Sequence, residues 1–158
     1  TFGVTGLIGI LSSKFLLLQE LPRFLPDLSQ PSANIFYNYR FFLVTLIAAH
    51  AVSRFMPVLT MRWYEYVADT DGSKSKPIAS RKPGGGNLLV AGIFALIPFV
   101  LLSWHFLLAI VPVVIVSFSL ANYFRKWIGG YTGDCLGAIQ QVSELCFYLG
   151  AVVIWKYL

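Results

Sequence analysis

Charge is scarce in this chain. Only 12% of its 158 residues are Asp, Glu, Lys or Arg, against about 25% in a soluble globular domain. That shortage excludes an ordinary water-soluble fold. Cysteine is nearly absent. Cys135 and Cys146 fall on one predicted helix, about 16 Å apart along its axis, too far to bridge. They read as small apolar residues. The histidines, His50 and His105, belong to no Cys/His cluster of zinc spacing. Net charge is +5, yet no basic stripe with interleaved aromatics sits on a polar scaffold, which argues against nucleic acid. An initiator methionine and a signal-peptide pattern are missing too. The chain opens at Thr1 almost directly in an apolar run and reads as a fragment lacking an N-terminal region.

What the chain has in excess is apolar surface: 57% hydrophobic residues, 16% aromatic, and a mean hydropathy of +0.71. This composition predicts an integral membrane protein, an all-α polytopic bundle occupying residues 1–158 as one unit. Five segments approach the roughly 20 residues a bilayer needs. They are Val4 to Leu18, Phe36 to Leu59, Leu88 to Leu102, Phe106 to Tyr123 and Cys135 to Trp155. Only Ser103, Trp104 and His105 separate the third from the fourth, which predicts a tight helical hairpin. Pro98 and Pro112 are expected to bend their helices. Pro22, Pro26 and Pro31 keep the stretch between the first two segments from being helical throughout.

Basic residues predict topology. Arg62, Lys74, Lys76, Arg81 and Lys82 lie in the loop from Met61 to Asn87, and Arg125 and Lys126 lead into the last segment. Both loops are expected to face the cytoplasm, with Leu158 outside. Residues 61–87 read as a mobile loop, rich in Gly, Ser and Pro. Its Asp69-x-Asp71-Gly72 faintly matches a calcium loop, but the twelfth position is Ser80 rather than glutamate, so that reading is discarded.

Ionisable side chains inside apolar segments cost about 2.5 to 3.5 kcal/mol each near the bilayer centre. Such groups usually face the interior and find partners. Lys14, Arg54 and Glu144 each lie roughly 12 to 15 Å deep by helical rise. Similar depth predicts that Glu144 pairs with Lys14 or Arg54; snorkelling of the two cations is the competing reading. In the fifth segment Asp134, Ala138, Gln141 and Leu145 form one small, polar stripe beside Glu144. That stripe suits either a water-filled cavity or an interhelical hydrogen-bond seam.

The last segment opens with GGYTGDCLGA, Gly129 to Ala138, where four glycines surround Asp134. A lone carboxylate among glycines, where a membrane helix meets water, suits a site. It equally suits a helix start, with Asp134 against the positive end of the dipole.

GGYTGDCLGAIQQVSELCFYL, Gly129 to Leu149, closely resembles the C-terminal signature of the adenosylcobinamide-GDP ribazoletransferase, or cobalamin 5'-phosphate synthase, family. TFGVTGLIGILSSKFLLL, Thr1 to Leu18, resembles the stretch that follows that family's DSRxG motif, with a lysine matching Lys14. AVSR, Ala51 to Arg54, fits its middle region. Some members carry an acidic residue where Gln141 stands. The resemblance implies a multi-pass enzyme of the bacterial inner membrane with its active site toward the cytoplasm. It implies a magnesium-dependent reaction joining adenosylcobinamide-GDP to α-ribazole 5'-phosphate, giving adenosylcobalamin 5'-phosphate and GMP. The family's acidic DGLADTxDG motif is absent here, so the main metal ligands are expected upstream.

On that reading Asp134, Lys14 and Arg54 are the expected catalytic residues. The two cations would neutralise phosphate charge, and Asp134 would complete or orient the metal site. Gly130, Thr132, Gly133, Gln141 and Glu144 are expected to line the substrate and its phosphates. A homo-oligomer is left open. Two other classes compete. A small transporter would show an inverted repeat, and none is found. A CDP-alcohol phosphotransferase would need D-x2-D-G-x2-A-R, which this chain lacks.

Overall fold

The structure, a computed structural model, describes residues 2–21, 35–67 and 82–157. The proline-rich stretch and the 68–81 part of the long loop, with its calcium-like motif, lie outside the described residues. Among the described residues there are five α-helices: α1 (Phe2–Glu20), α2 (Ile35–Trp63), α3 (Gly85–Leu96), α4 (Ile110–Ile128) and α5 (Gly133–Tyr157). In a bilayer every backbone N–H and C=O must be satisfied within the segment, which favours helices throughout.

Among the described residues, three helical stretches are long and apolar enough to cross a membrane: Tyr39–Trp63, Trp104–Ile128 and Gly133–Tyr157. The expected third span is shorter, an apolar stretch over Gly85–Leu101. The first, α1, has 19 residues and carries Lys14 in its second half. The hairpin forms as the short linker predicts, but its arms are not α-helical to the turn. Two 3₁₀ segments, Ile97–Leu101 and Trp104–Ala109, flank Ser103. Pro98 sits at the start of one. Pro112 falls in the first turn of α4, just after the 3₁₀ segment Trp104–Ala109. Pro57 lies inside α2.

Helix α5 is the central element. It packs against α1, α2, α4 and the Trp104–Ala109 segment. Ala48, Ala49, Ala109, Ala121 and Ala151 are buried, and small residues allow close helix approach where lipid supplies no hydrophobic drive. Buried Ser117 and Ser143 join α4 to α5 by a 2.7 Å hydrogen bond. Aromatic residues mark both ends of the bundle, as membrane interfaces favour. Trp63 and Trp127 are exposed near one end, Trp104, Trp155 and Tyr157 near the other.

Candidate functional site

The glycine motif is folded by two different constraints. Gly129 ends α4 in the left-handed conformation, φ 82°, and its N–H reaches Arg125 O at 3.0 Å. Gly130 is fixed by space: a Cβ there would fall 2.2 Å from Glu65 O. Tyr131 N–H donates to that same carbonyl at 2.9 Å, and Val67 N–H donates to Tyr131 O at 3.1 Å. This short parallel bridge between Tyr66 and Tyr131 ties the chain after α2 to the α4–α5 turn, so the end of α2 and that turn lie at one end of the bundle. Burial, then the neighbouring Tyr66, pushes the Tyr131 phenol above its ordinary pKa.

Thr132 caps α5. Its side-chain oxygen accepts the Cys135 N–H at 3.4 Å, and its carbonyl accepts the Leu136 N–H at 3.2 Å. Asp134 follows, exposed, in the first turn. Gly133 has open space where a Cβ would stand.

The charges inside the helices resolve into two groups. Lys14 Nζ donates to Glu144 Oε2 at 2.8 Å and to Gln141 Oε1 at 2.6 Å. Tyr148 OH donates to the other Glu144 oxygen at 3.0 Å. The Lys14 and Glu144 side chains are only 12% and 13% exposed. The polar stripe of α5 at this level is therefore an interhelical seam with α1. Lys156 and Glu20 add a second α1–α5 pair at 2.7 Å, out in the open.

Arg54 does not join this seam. Its Nε donates to His50 Nε2, one turn earlier on α2, at 2.8 Å. Glu144 thus takes Lys14, and equal depth did not bring Arg54 to it. The two groups meet indirectly through Tyr148. Tyr148, itself buried, borders an open groove of about 430 Å³ with Leu46, Ile47, His50 and Ala51, while its hydroxyl holds Glu144.

Of the residues singled out in the sequence, the structure gathers Lys14, Gln141 and Glu144 at mid-bundle. Gly130, Thr132, Gly133 and Asp134 lie together at the bundle end. Tyr148 and His50 went unselected, although each is four residues from a chosen charge, the spacing that places side chains on one helix face. Among the described residues no three His, Cys, Asp or Glu side chains gather as a metal-binding set. Asp134 supplies one carboxylate, so these residues do not by themselves make a magnesium site.

A family model described as cobalamin-5-phosphate synthase matches residues 1–152. Among curated proteins, one named adenosylcobinamide-GDP ribazoletransferase from Leptospira interrogans is 38% identical over 99% of this chain and 56% of its own length. Proteins of the same name from Vibrio cholerae and Shewanella halifaxensis are 35% and 38% identical, over 94% and 98% of the chain and 51% and 54% of their own lengths. The chain spans about half the length of the curated relatives it matches. No solved structure matches it.

Proposed function

The chain belongs to the cobalamin-5-phosphate synthase family, and on that premise we propose that it serves as the membrane transferase of late cobalamin biosynthesis. In the proposed reaction a ribose hydroxyl of α-ribazole 5'-phosphate forms a new P–O bond at the cobinamide-bearing phosphorus of adenosylcobinamide-GDP. The anhydride P–O bond breaks, GMP leaves, and the hydroxyl proton passes to base. The observation that carries this reading is the family match over residues 1–152.

Transfer of this kind is promoted mainly by positioning and by groups that stabilise developing negative charge. Arg54 is the better placed cation, because Lys14 already rests on Glu144 and Gln141. We assign Asp134 to the reacting end of the bundle, beside the open face at Gly133. Magnesium is proposed to complete the charge balance there, with donors beyond the described residues.

The test is product formation by the native protein in membranes supplied with both substrates. Asp134→Asn keeps the size and removes the charge. It is expected to lower GMP release at least 10-fold, about 1.4 kcal/mol of transition-state stabilisation, with unchanged melting. A normal rate across a magnesium titration would leave Asp134 as a helix-start residue only.

The enzyme is proposed to lie in the bacterial inner membrane with both basic loops cytoplasmic. The pairing of Tyr66 with Tyr131 supports a shared side for them. A Ser75→Cys variant is expected to resist impermeant thiol reagents on intact cells and to label after lysis. Rapid labelling from outside would invert the topology.

A further inference from the structure

The end of the bundle opposite the glycine motif holds one cation that the fold leaves unused. Arg40 lies in the second turn of α2, and its side chain is exposed. With Phe41, Leu101, Leu102 and Ser103 it lines a pocket of about 110 Å³ between α2 and the hairpin turn. We infer that this pocket binds the phosphate of an anionic phospholipid headgroup, with the lipid's acyl chains against the apolar surface beside it. The inference is independent of the transferase reading.

Charge points to a phosphate. A guanidinium stays ionised and offers five N–H donors. Among the described residues Arg40 has no ion-pair, hydrogen-bond or ring partner. Lys156, the other described lysine or arginine at this end, is paired with Glu20 at 2.7 Å. Ser103 makes no capping bond to the segment it precedes, and its hydroxyl is free of partners among the described residues. A guanidinium fork beside a free hydroxyl suits a phosphate, whose oxygens accept from both. No carboxylate lines the pocket. A zwitterionic headgroup would bring an ammonium there with nothing to meet it, so the site favours a lipid of net negative charge.

Depth points to a lipid. From Arg40 to Trp63 the α2 axis covers about 35 Å, slightly more than the roughly 30 Å hydrocarbon core of a bilayer. With Trp63 at one interface, Arg40 stands at the other. Aromatic side chains mark that level: Trp104, next to Ser103, and Tyr157 are exposed, and Trp155 packs on Phe41 at 5.0 Å. Headgroup phosphates lie at this depth.

Shape agrees. A volume of about 110 Å³ falls below the 300–1,000 Å³ of sites that enclose a whole small molecule. The pocket seats a phosphate-sized group, and the rest of the ligand lies outside it. The surface outside is apolar. Leu43 and Ile47 follow Arg40 along α2 at helical spacing, and Ile97, Val100 and Leu101 stand on the hairpin arm, all exposed. Acyl chains can lie on that surface, whereas a free phosphate makes no use of it.

Tryptophan emission reads this end directly. Trp63→Phe and Trp127→Phe remove the tryptophans of the other end and leave Trp104 and Trp155. The native protein with these two changes, the parent, is placed in phosphatidylcholine nanodiscs. Brominated phosphatidylglycerol, or brominated phosphatidylcholine with the same chains, is titrated in as quencher. The anionic lipid is expected to bind about 5-fold more tightly, the effect of one arginine on such a lipid. Arg40→Gln should abolish that preference, and Arg40→Lys should keep part of it. Ser103→Ala should weaken both lipids alike by about 3-fold, the worth of one neutral hydrogen bond. Arg125→Gln, at the other end of the bundle, should leave the preference intact. Arg40→Gln should melt with the parent in phosphatidylcholine discs; if it melts lower, Arg40→Lys and Ser103→Ala carry the test. Equal quenching by the two lipids in the parent, or a preference that survives Arg40→Gln, overturns the site. Relief of quenching by millimolar inorganic phosphate assigns the pocket to a soluble anion and also overturns it.

Discussion

Glu144→Ala is expected to destabilise the bundle by about 3 to 5 kcal/mol, the usual result of removing one partner from a buried charge pair. The reason is the ammonium left behind. Lys14 is 12% exposed and near the middle of the membrane-spanning part, where water does not replace a lost carboxylate. Tyr148 loses its acceptor at the same time. Glu144→Gln keeps an acceptor oxygen for Lys14 and removes the charge, so it should fall between alanine and wild type. Lys14→Met should cost less than Glu144→Ala, because its unbranched apolar chain fills the space and Glu144 keeps the Tyr148 hydrogen bond. Glu65→Ala is the control. Its side chain is exposed and meets Lys82 only at 3.9 Å, so a change within about 0.5 kcal/mol is expected. Thermal unfolding in detergent measures all four. A double-mutant cycle through Lys14→Met and Glu144→Ala should return a coupling well above the few tenths expected of independent sites. Additive effects would mean that the two groups do not stabilise each other.

That pair was legible in the sequence because depth along a helix follows from counting residues. Lys14, Arg54 and Glu144 lie at one level, and burial of charge demands a partner. The choice between Lys14 and Arg54 was not legible. It depends on the rotation of α2 about its axis, which is set by where Ala48, Ala49 and Val52 pack, and hydropathy is nearly uniform around that helix. The hairpin at Ser103 was legible from its short linker. The 3₁₀ form of its arms was not, since it depends on how the prolines and the close Gly150–Ala109 contact are accommodated. A Cβ at Gly150 would stand 3.1 Å from Ala109, and that closeness is a tertiary fact.

At the bundle end the sequence identified the glycines but not their separate causes. The bridge from Tyr66 to Tyr131 joins segments more than sixty residues apart along the chain, and no local pattern signals it. In the sequence Glu65 is one carboxylate of the 61–87 loop, yet it is its backbone carbonyl that shapes the motif.

Alanine scanning of the glycines should separate these causes, and Gly130→Ala should be the most damaging. Its Cβ would stand 2.2 Å from Glu65 O and 2.9 Å from a Val67 methyl group. A carbonyl in a paired segment cannot rotate away as a side chain does, so the two segments must part. Overpacking of this sort costs about 1 to 3 kcal/mol, and a lost backbone hydrogen bond adds about 1 kcal/mol. Gly129→Ala should cost less, about 1 to 2 kcal/mol, because only its left-handed backbone conformation is at stake. Gly133→Ala meets nothing within 4 Å and lies in the first turn of a helix, so its stability should hold or rise slightly. Amide exchange at Tyr131 and Val67 reads the bridge directly. It should accelerate most strongly in Gly130→Ala and stay unchanged in Gly133→Ala. The same variants then test the candidate site. If the open face at Gly133 receives substrate, Gly133→Ala will lower product formation with melting and exchange intact. If activity instead tracks exchange across the three variants, the motif acts by holding the bundle end together, and contact of Gly133 with substrate is ruled out.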